Sequence, residues 1–315
     1  MKIEKNIIGL VIVFAMVVSA GCGKKTPVPQ PKFNKGAARD VIEGNTWYMK
    51  GCYLKALESL HKAYEKFTAV DDQEGIARTL NNLGTLYRAE KDYDSALLFF
   101  DEARRIFSSI GESRGLVQTL SNKAAVYTDM NDLTKAESAL DEADSIAVNK
   151  TIVLPTLKSN RALVCIRQKK NDQAKTLLTE ALAMTSEAKP FEYATITHAM
   201  GVLMETSGEP DQALVYYKKA LEADRKAGYS RNTATDLSDI GRVLMAQGKH
   251  DEALDVLYRS FNIQTLLNDP TGAEVTSVQI KLCLETLGDK KPDIRVKEHF
   301  MKRWAEGEKK AGLCK

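Results

Sequence analysis

The chain is written in a repeating pattern of small, large and apolar positions. The stretch Asn81-Asn82-Leu83-Gly84-Thr85-Leu86-Tyr87, followed by Ala96, Phe100 and Ala103, returns along most of its length. With Ala96 as the marker, equivalents fall at Ala56, Ala136, Ala174, Ala213 and Ala253, spaced by 40, 40, 38, 39 and 40 residues from Ala56 onward. A small residue precedes each marker by 12 positions, and a larger one stands three further on: Gly44/Trp47, Gly84/Tyr87, Ala124/Tyr127, Ala162/Cys165, Gly201/Met204 and Gly241/Leu244. A second small residue follows each marker by seven positions: Ala63, Ala103, Ala143, Ala181, Ala220 and Ser260. Small residues at fixed places let one helix backbone approach another, and the large neighbour fills the space beside it. The pattern predicts twelve helices in six pairs from about Lys35 to Phe261, with a weaker seventh unit whose first helix covers Glu274 to Leu287.

Small, large, alanine, aromatic or leucine, and alanine at these offsets resemble the tetratricopeptide repeat, a helix–turn–helix unit. The resemblance implies an all-α fold: a right-handed superhelical solenoid of six repeats over residues 35–270, closed by a degenerate repeat and capping helix over 271–315. The family's period is about 34 residues, whereas here it is near 40. The runs Val70 to Gly75, Ile110 to Gly115, Ala227 to Asn232 and Leu267 to Gly272 are expected to hold the excess by lengthening the second helix and its turn. That resembles the long-helix subclass found in kinesin light chains and some peptide-binding regulators. The segment Asp293 to Lys310 spaces Ile294, Val296, Phe300 and Trp304 in a roughly helical, amphipathic way, as a terminal cap requires.

The N-terminus has a different organisation. Lys2 and Lys5 precede the apolar run Ile7 to Val18, then Ser19-Ala20-Gly21-Cys22. Twelve apolar residues are short for a membrane span, which needs about 20, and the arrangement reads as a signal peptide over 1–21. Small residues directly before a cysteine resemble the bacterial lipobox. The resemblance implies cleavage before Cys22 and a covalent lipid on it, with no other cofactor. Residues 22–34, punctuated by Pro27, Pro29 and Pro31, read as an extended tether. Gly23 after the cysteine favours, by resemblance to envelope sorting, the outer membrane facing the periplasm.

Composition excludes more than it assigns. A formal charge of +3 gives no basic stripe for nucleic acid, and removing residues 1–21 leaves +2. Gly111-Glu112-Ser113-Arg114-Gly115 has nucleophile-elbow spacing but joins two predicted helices rather than a strand and a helix. Ser59-Leu60-His61-Lys62 lies inside a helix without partner motifs. No phosphate loop or dinucleotide fingerprint is present. The five cysteines form no C-x-x-C pair, and the four histidines have no metal-ligand spacing. Cys52, Cys165 and Cys283 read as small buried hydrophobes, and Cys314 as an exposed thiol able to pair between chains.

What remains is non-enzymatic binding of a protein or peptide, with no small-molecule substrate. By resemblance, the first helix of each pair lines a concave groove carrying Arg78, Asn81, Asn82 and Arg88; Gln118, Ser121 and Asn122; Ser159, Asn160 and Arg167; His198 and Glu205; and Ser238 and Arg242. Asn82, Asn122 and Asn160 recur at one place in successive units, and carboxamides can hold a peptide backbone through both donor and acceptor. Members that clamp heat-shock chaperone tails use three cations and two asparagines. The corresponding places read Val41, Asn45, Asn82, Gln118 and Asn122, so that partner is not expected. The expected function is a lipid-anchored scaffold of the bacterial envelope that recruits an extended peptide or protein partner. The alternative is a cytoplasmic or inner-membrane-tethered peptide-sensing regulator with residues 1–21 as an uncleaved anchor.

Overall fold

The computed structural model describes residues 35–288 together with His299, Lys302 and Cys314. The expected signal peptide, Cys22, the tether and nearly all of the capping segment lie outside the described residues. Six helical pairs follow one another. They are α1 (Lys35–Met49) with α2 (Tyr53–Thr68), α3 (Gln73–Ala89) with α4 (Tyr93–Ile110), and α5 (Ser113–Asp129) with α6 (Leu133–Asn149). Next come α7 (Pro155–Arg167) with α8 (Asn171–Ala183), α9 (Pro190–Thr206) with α10 (Pro210–Ala227), and α11 (Ser230–Ala246) with α12 (His250–Leu266). A thirteenth helix, α13 (Pro270–Leu287), packs on α12 as the first helix of the seventh unit. There is no strand among the described residues.

The marker positions explain the pairing. All six marker alanines, and the six small residues seven positions after them, are 0% exposed. Ser260 is the one hydroxyl in this set, and its Oγ donates to the Ala234 carbonyl at 2.6 Å, so the buried polar atom is satisfied. Four residues after each marker stands a buried large side chain: Leu60, Phe100, Leu140, Leu178, Tyr217 and Leu257. These fill the space that the paired glycine or alanine leaves. A Cβ on Gly84 would lie 2.7 Å from the Phe100 ring, one on Gly201 2.6 Å from Tyr217, and one on Gly241 2.5 Å from Leu257.

The links between units are shorter than expected. Half of each expected inter-unit run is already the first turn of the next helix: Gln73 to Gly75 in α3, Ser113 to Gly115 in α5, Ser230 to Asn232 in α11 and Pro270 to Gly272 in α13. Both helices of a unit are therefore long, rather than the second alone. At three of the four, a cap sets the start: Asp72, Glu112 and Asp269 accept from the backbone N–H three residues on, at Gly75, Gly115 and Gly272. Gly111 ends α4 in the left-handed region at φ 72°. The nucleophile-like run Gly111 to Gly115 is thus a helix end, a two-residue link and a helix start.

First helices stack on first helices: α1 on α3, α3 on α5, α5 on α7, α7 on α9 and α11 on α13. The array also returns on itself, because α1 touches α11. Cys52, at the start of α2, and Cys314 form a disulfide across 262 residues, with their Cα atoms 5.2 Å apart. This corrects both expectations: Cys52 is not a spare hydrophobe, and Cys314 pairs within the chain. Cys165 and Cys283 are free and buried as expected.

Candidate binding site

The return of the array borders an open cavity of about 840 Å³. One wall is the first unit: Tyr48 at the end of α1, Gly51 and Cys52 in the link, and Tyr53 at the start of α2. The opposite wall is Arg231, Thr235 and Asp239 of α11, Leu267, and Asp269 ahead of α13. Thr85 and Arg88 of α3, and Asp129 of α5, extend it along the stacked first helices. Cys314 also lines it.

The walls meet in a definite way. The Tyr48 and Tyr53 rings stack at 5.7 Å. The Arg231 guanidinium lies 4.3 Å over the Tyr53 ring and donates to Asp269 at 2.7 Å. Burial pushes both tyrosine hydroxyls upward in pKa, so the rings present neutral O–H groups at physiological pH. Arg88 pairs with Asp129 at 2.7 Å. Two of the cavity's cations are thereby balanced by carboxylates of its own lining.

Behind Asp239 lies a denser network on α9, α10 and α11. His198 Nε2 is 2.9 Å from Asp239 Oδ2 and 3.9 Å from Asp236 Oδ1. Arg242 bonds Asp239 at 2.7 Å and also contacts Glu205, which accepts from the Tyr217 hydroxyl at 2.9 Å. Asp224 and Asp236 are 2% and 1% exposed. Burial raises both carboxyls well above the usual range, and for Asp236 the charges of Asp224 and Asp239 add to it against the opposing pull of His198. Burial lowers the His198 pKa, but its bond to Asp239 and the surrounding carboxylates outweigh that, and the net direction is up.

Of the residues expected from sequence to face the groove, Arg88 and Ser238 line the cavity. His198 and Arg242 reach its edge through Asp239. The asparagines serve a different geometry. Asn122 Nδ2 donates to Asn81 Oδ1 at 3.1 Å, and Asn81 Oδ1 also accepts from Thr119. Gln118 donates to Asn122 at 3.2 Å, and Asn160 donates to the Ser121 carbonyl and hydroxyl at 3.0 and 2.9 Å. Asn81, Asn122 and Asn160 thus bridge neighbouring first helices, with Gln118 bracing Asn122 from the same helix. Asn82 is half-buried, Arg78 pairs with Glu74 one turn away, and Arg167 is exposed at the end of α7. Sequence reasoning missed Tyr48, Tyr53, Arg231 and Asp269, which sit at or beside links where the repeat leaves no mark.

The tetratricopeptide repeat family pattern matches residues 44–109, 153–226 and 193–266, more than half of the chain. The chain belongs to that family, a protein- and peptide-interaction fold whose members are generally not enzymes. No curated protein matches the sequence. Among solved structures, the Rap conjugation gene regulator of plasmid pLS20, in complex with the Phr peptide, is similar at a TM-score of 0.56. It is 15% identical, over 87% of this chain and 77% of that one. Pseudomonas aeruginosa pilF is 16% identical over 75% of this chain and 98% of its own, at a TM-score of 0.43. YrrB, described as having an unusual peptide-binding site, is 18% identical over 69% and 98%, at 0.37.

Proposed function

We propose that this protein is a non-enzymatic, lipid-anchored scaffold of the bacterial envelope that holds a peptide segment of a partner protein in the space its first helices enclose. The observation that carries the binding role is the cavity of about 840 Å³ between the ends of the array, within the roughly 300–1,000 Å³ of ligand sites. It is lined by aromatic faces, hydroxyls, the Arg88–Asp129 and Arg231–Asp269 ion pairs, and Lys55, Glu90 and Lys91. The Cys52–Cys314 disulfide supports a location outside the reducing cytoplasm. The Ser19-Ala20-Gly21-Cys22 sequence supports attachment through Cys22, with residues 23–34 giving reach from the lipid surface.

Two measurements test this reading. A photo-crosslinking residue at Thr235, in the cavity wall, should form a specific adduct in cells, and the same residue at exposed Val148 on α6 should not. Equal adducts at both places would remove the cavity as the binding site. Full-length protein should partition into membranes with an acylated Cys22 at its N-terminus, and Cys22→Ala should remain uncleaved. An intact N-terminus in both would replace the envelope lipoprotein with the tethered or cytoplasmic regulator.

A further inference from the structure

We infer that Arg231, Gln264 and Thr276 form a subsite for one main-chain amide of the bound peptide, so that the cavity holds the peptide's backbone independently of its side chains. This rests on the peptide-scaffold reading above and adds to it the place and the chemical group that is held.

Three successive helices bring the subsite together. Arg231 stands in the first turn of α11, Gln264 in the last turn of α12 and Thr276 in the second turn of α13, and all three line the cavity. Arg231 Nη1 donates to Asp269 Oδ2 at 2.7 Å. That same oxygen would lie 2.7 Å from a Cβ on Gly272, and Gln264 Nε2 3.1 Å from it. The bare Gly272 backbone thus lets the Gln264 carboxamide approach the Asp269–Arg231 pair, with Thr276 one helical turn further along α13.

Each of the three residues keeps one polar atom without a hydrogen-bond partner among the described residues: Arg231 Nε, Gln264 Oε1 and Thr276 Oγ1. Gln264 is 6% exposed and Thr276 0%. Buried polar atoms are nearly always bonded, and one left unbonded destabilises the chain that carries it. Buried threonines elsewhere follow that rule: Thr79, Thr128 and Thr197 donate to the carbonyls of Gly75, Ala124 and Tyr193, four residues earlier, each at 2.8 Å. Thr276 departs from it, and it does so beside two further unbonded atoms on the wall of one cavity. A ligand that bonds these atoms recovers the stability they cost the free chain.

The atoms specify the ligand. A guanidinium N–H donates, a carboxamide oxygen accepts, and a hydroxyl does either. A main-chain amide presents the complementary pair, a carbonyl oxygen for Arg231 and an N–H for Gln264. A carboxylate or phosphate would meet the Gln264 oxygen and the Asp269 carboxylate, and an ammonium would meet the Arg231 guanidinium, so neither fits. The lining as a whole carries four cations and four carboxylates among the described residues: the Arg88–Asp129 and Arg231–Asp269 pairs, with Lys55, Lys91, Glu90 and Asp239. Those charges act on the peptide's side chains, whereas the three unbonded atoms select its backbone.

The test uses the full-length, disulfide-bonded chain and two probes. One is acetyl-tetraalanine amide, whose polar groups are all amides, and the other is the same peptide with its amide nitrogens methylated so that no N–H remains. Each is titrated while NMR follows the Gln264 side-chain carboxamide and the backbone amides of Gly272 and Thr276. The first probe should shift these signals saturably, and the second should not. Gln264→Met and Thr276→Val should each weaken binding by about twofold to tenfold, the worth of one hydrogen bond. Each should nevertheless leave the free chain as stable in urea or more so, because it removes an unbonded polar atom and keeps the size of the side chain. Absence of a saturable shift, equal shifts from both probes, or unchanged affinity in both variants overturns the inference. A lower urea midpoint in both variants also overturns it, since the two atoms would then be bonded in the free chain through a buried water. A specific Thr235 adduct alongside any of these failures leaves the scaffold standing without this subsite.

Discussion

Gly84 and Gly208 are both glycines in a helical protein, yet they are glycine for different reasons. At Gly84 the α3 backbone passes so near Phe100 that a Cβ would sit 2.7 Å from the ring. At Gly208 there is open space, but φ is 78°, a conformation side chains rarely adopt. Gly84→Ala should cost about 1–3 kcal/mol, as an overpacked core contact does, and Gly208→Ala about 1–2 kcal/mol through backbone strain. The two mechanisms separate in a double-mutant test followed by thermal unfolding. Phe100→Leu should recover part of the Gly84→Ala loss and none of the Gly208→Ala loss. Recovery of both, or of neither, would show that ring crowding does not explain the recurrent glycine. This level was the most legible in the sequence, because close approach leaves a fixed small residue at a fixed offset. The recurrent asparagines were visible for the same reason, but their partners were not. Asn122 and Asn160 bond residues 41 and 39 positions earlier, on the preceding first helix. Recurrence marks a shared environment and does not distinguish a neighbouring unit from a ligand.

At the scale of helices, the pairs follow from burial of one face each, and most of them keep their polar groups at the surface. A dense charged cluster lies at the α9–α10–α11 interface, where His198 and Glu205 from α9, Tyr217 and Asp224 from α10, and Asp236, Asp239 and Arg242 from α11 converge. Asp236 is pushed up to about 8 and Asp224 to about 6, chiefly by burial. His198 is also raised, through Asp239 and its neighbours. For all three the folded chain binds protons more tightly than the unfolded one. The carboxyls' contribution is therefore complete below about pH 4 and declines as pH rises, Asp224's being spent by about pH 6 and Asp236's by about pH 8. Stability should fall by about 2 kcal/mol between pH 6 and pH 9, read as a lower urea midpoint. Asp236→Asn should flatten that slope and raise the midpoint at pH 9. A slope unchanged by Asp236→Asn would place the pH dependence elsewhere. The family resemblance marked His198 and Arg242 as groove-side positions. It did not expose the acid cluster, since Asp224 lies on a second helix and its burial depends on how three helices meet.

For the repeat array as a whole, the decisive feature is that its two ends touch. The repeat length and helix pairing follow from a single unit, whereas the meeting of α1 with α11 depends on the rotation between successive units, which no local pattern encodes. Arg231 consequently stood in an inter-unit run, and nothing in the repeat marked Tyr53. Their contact gives the first unit a second neighbour, where a terminal unit of an open solenoid has only one. Local opening of α1 and α2 should therefore be suppressed by the seam as well as by α3. Tyr53→Ala removes the ring under Arg231, a contact worth about 0.5–2 kcal/mol, while leaving Cys52 and Cys314 in place. Hydrogen exchange in the oxidised chain should then accelerate in α1 and α2 by about twofold to thirtyfold, the factor that free energy implies. Amides of α5 and α6, which lie between intact units, should keep their rates. Uniform acceleration along the chain would mean that Tyr53 supports the fold globally. No acceleration anywhere would mean that the Tyr53–Arg231 contact adds nothing to the stability of the first unit.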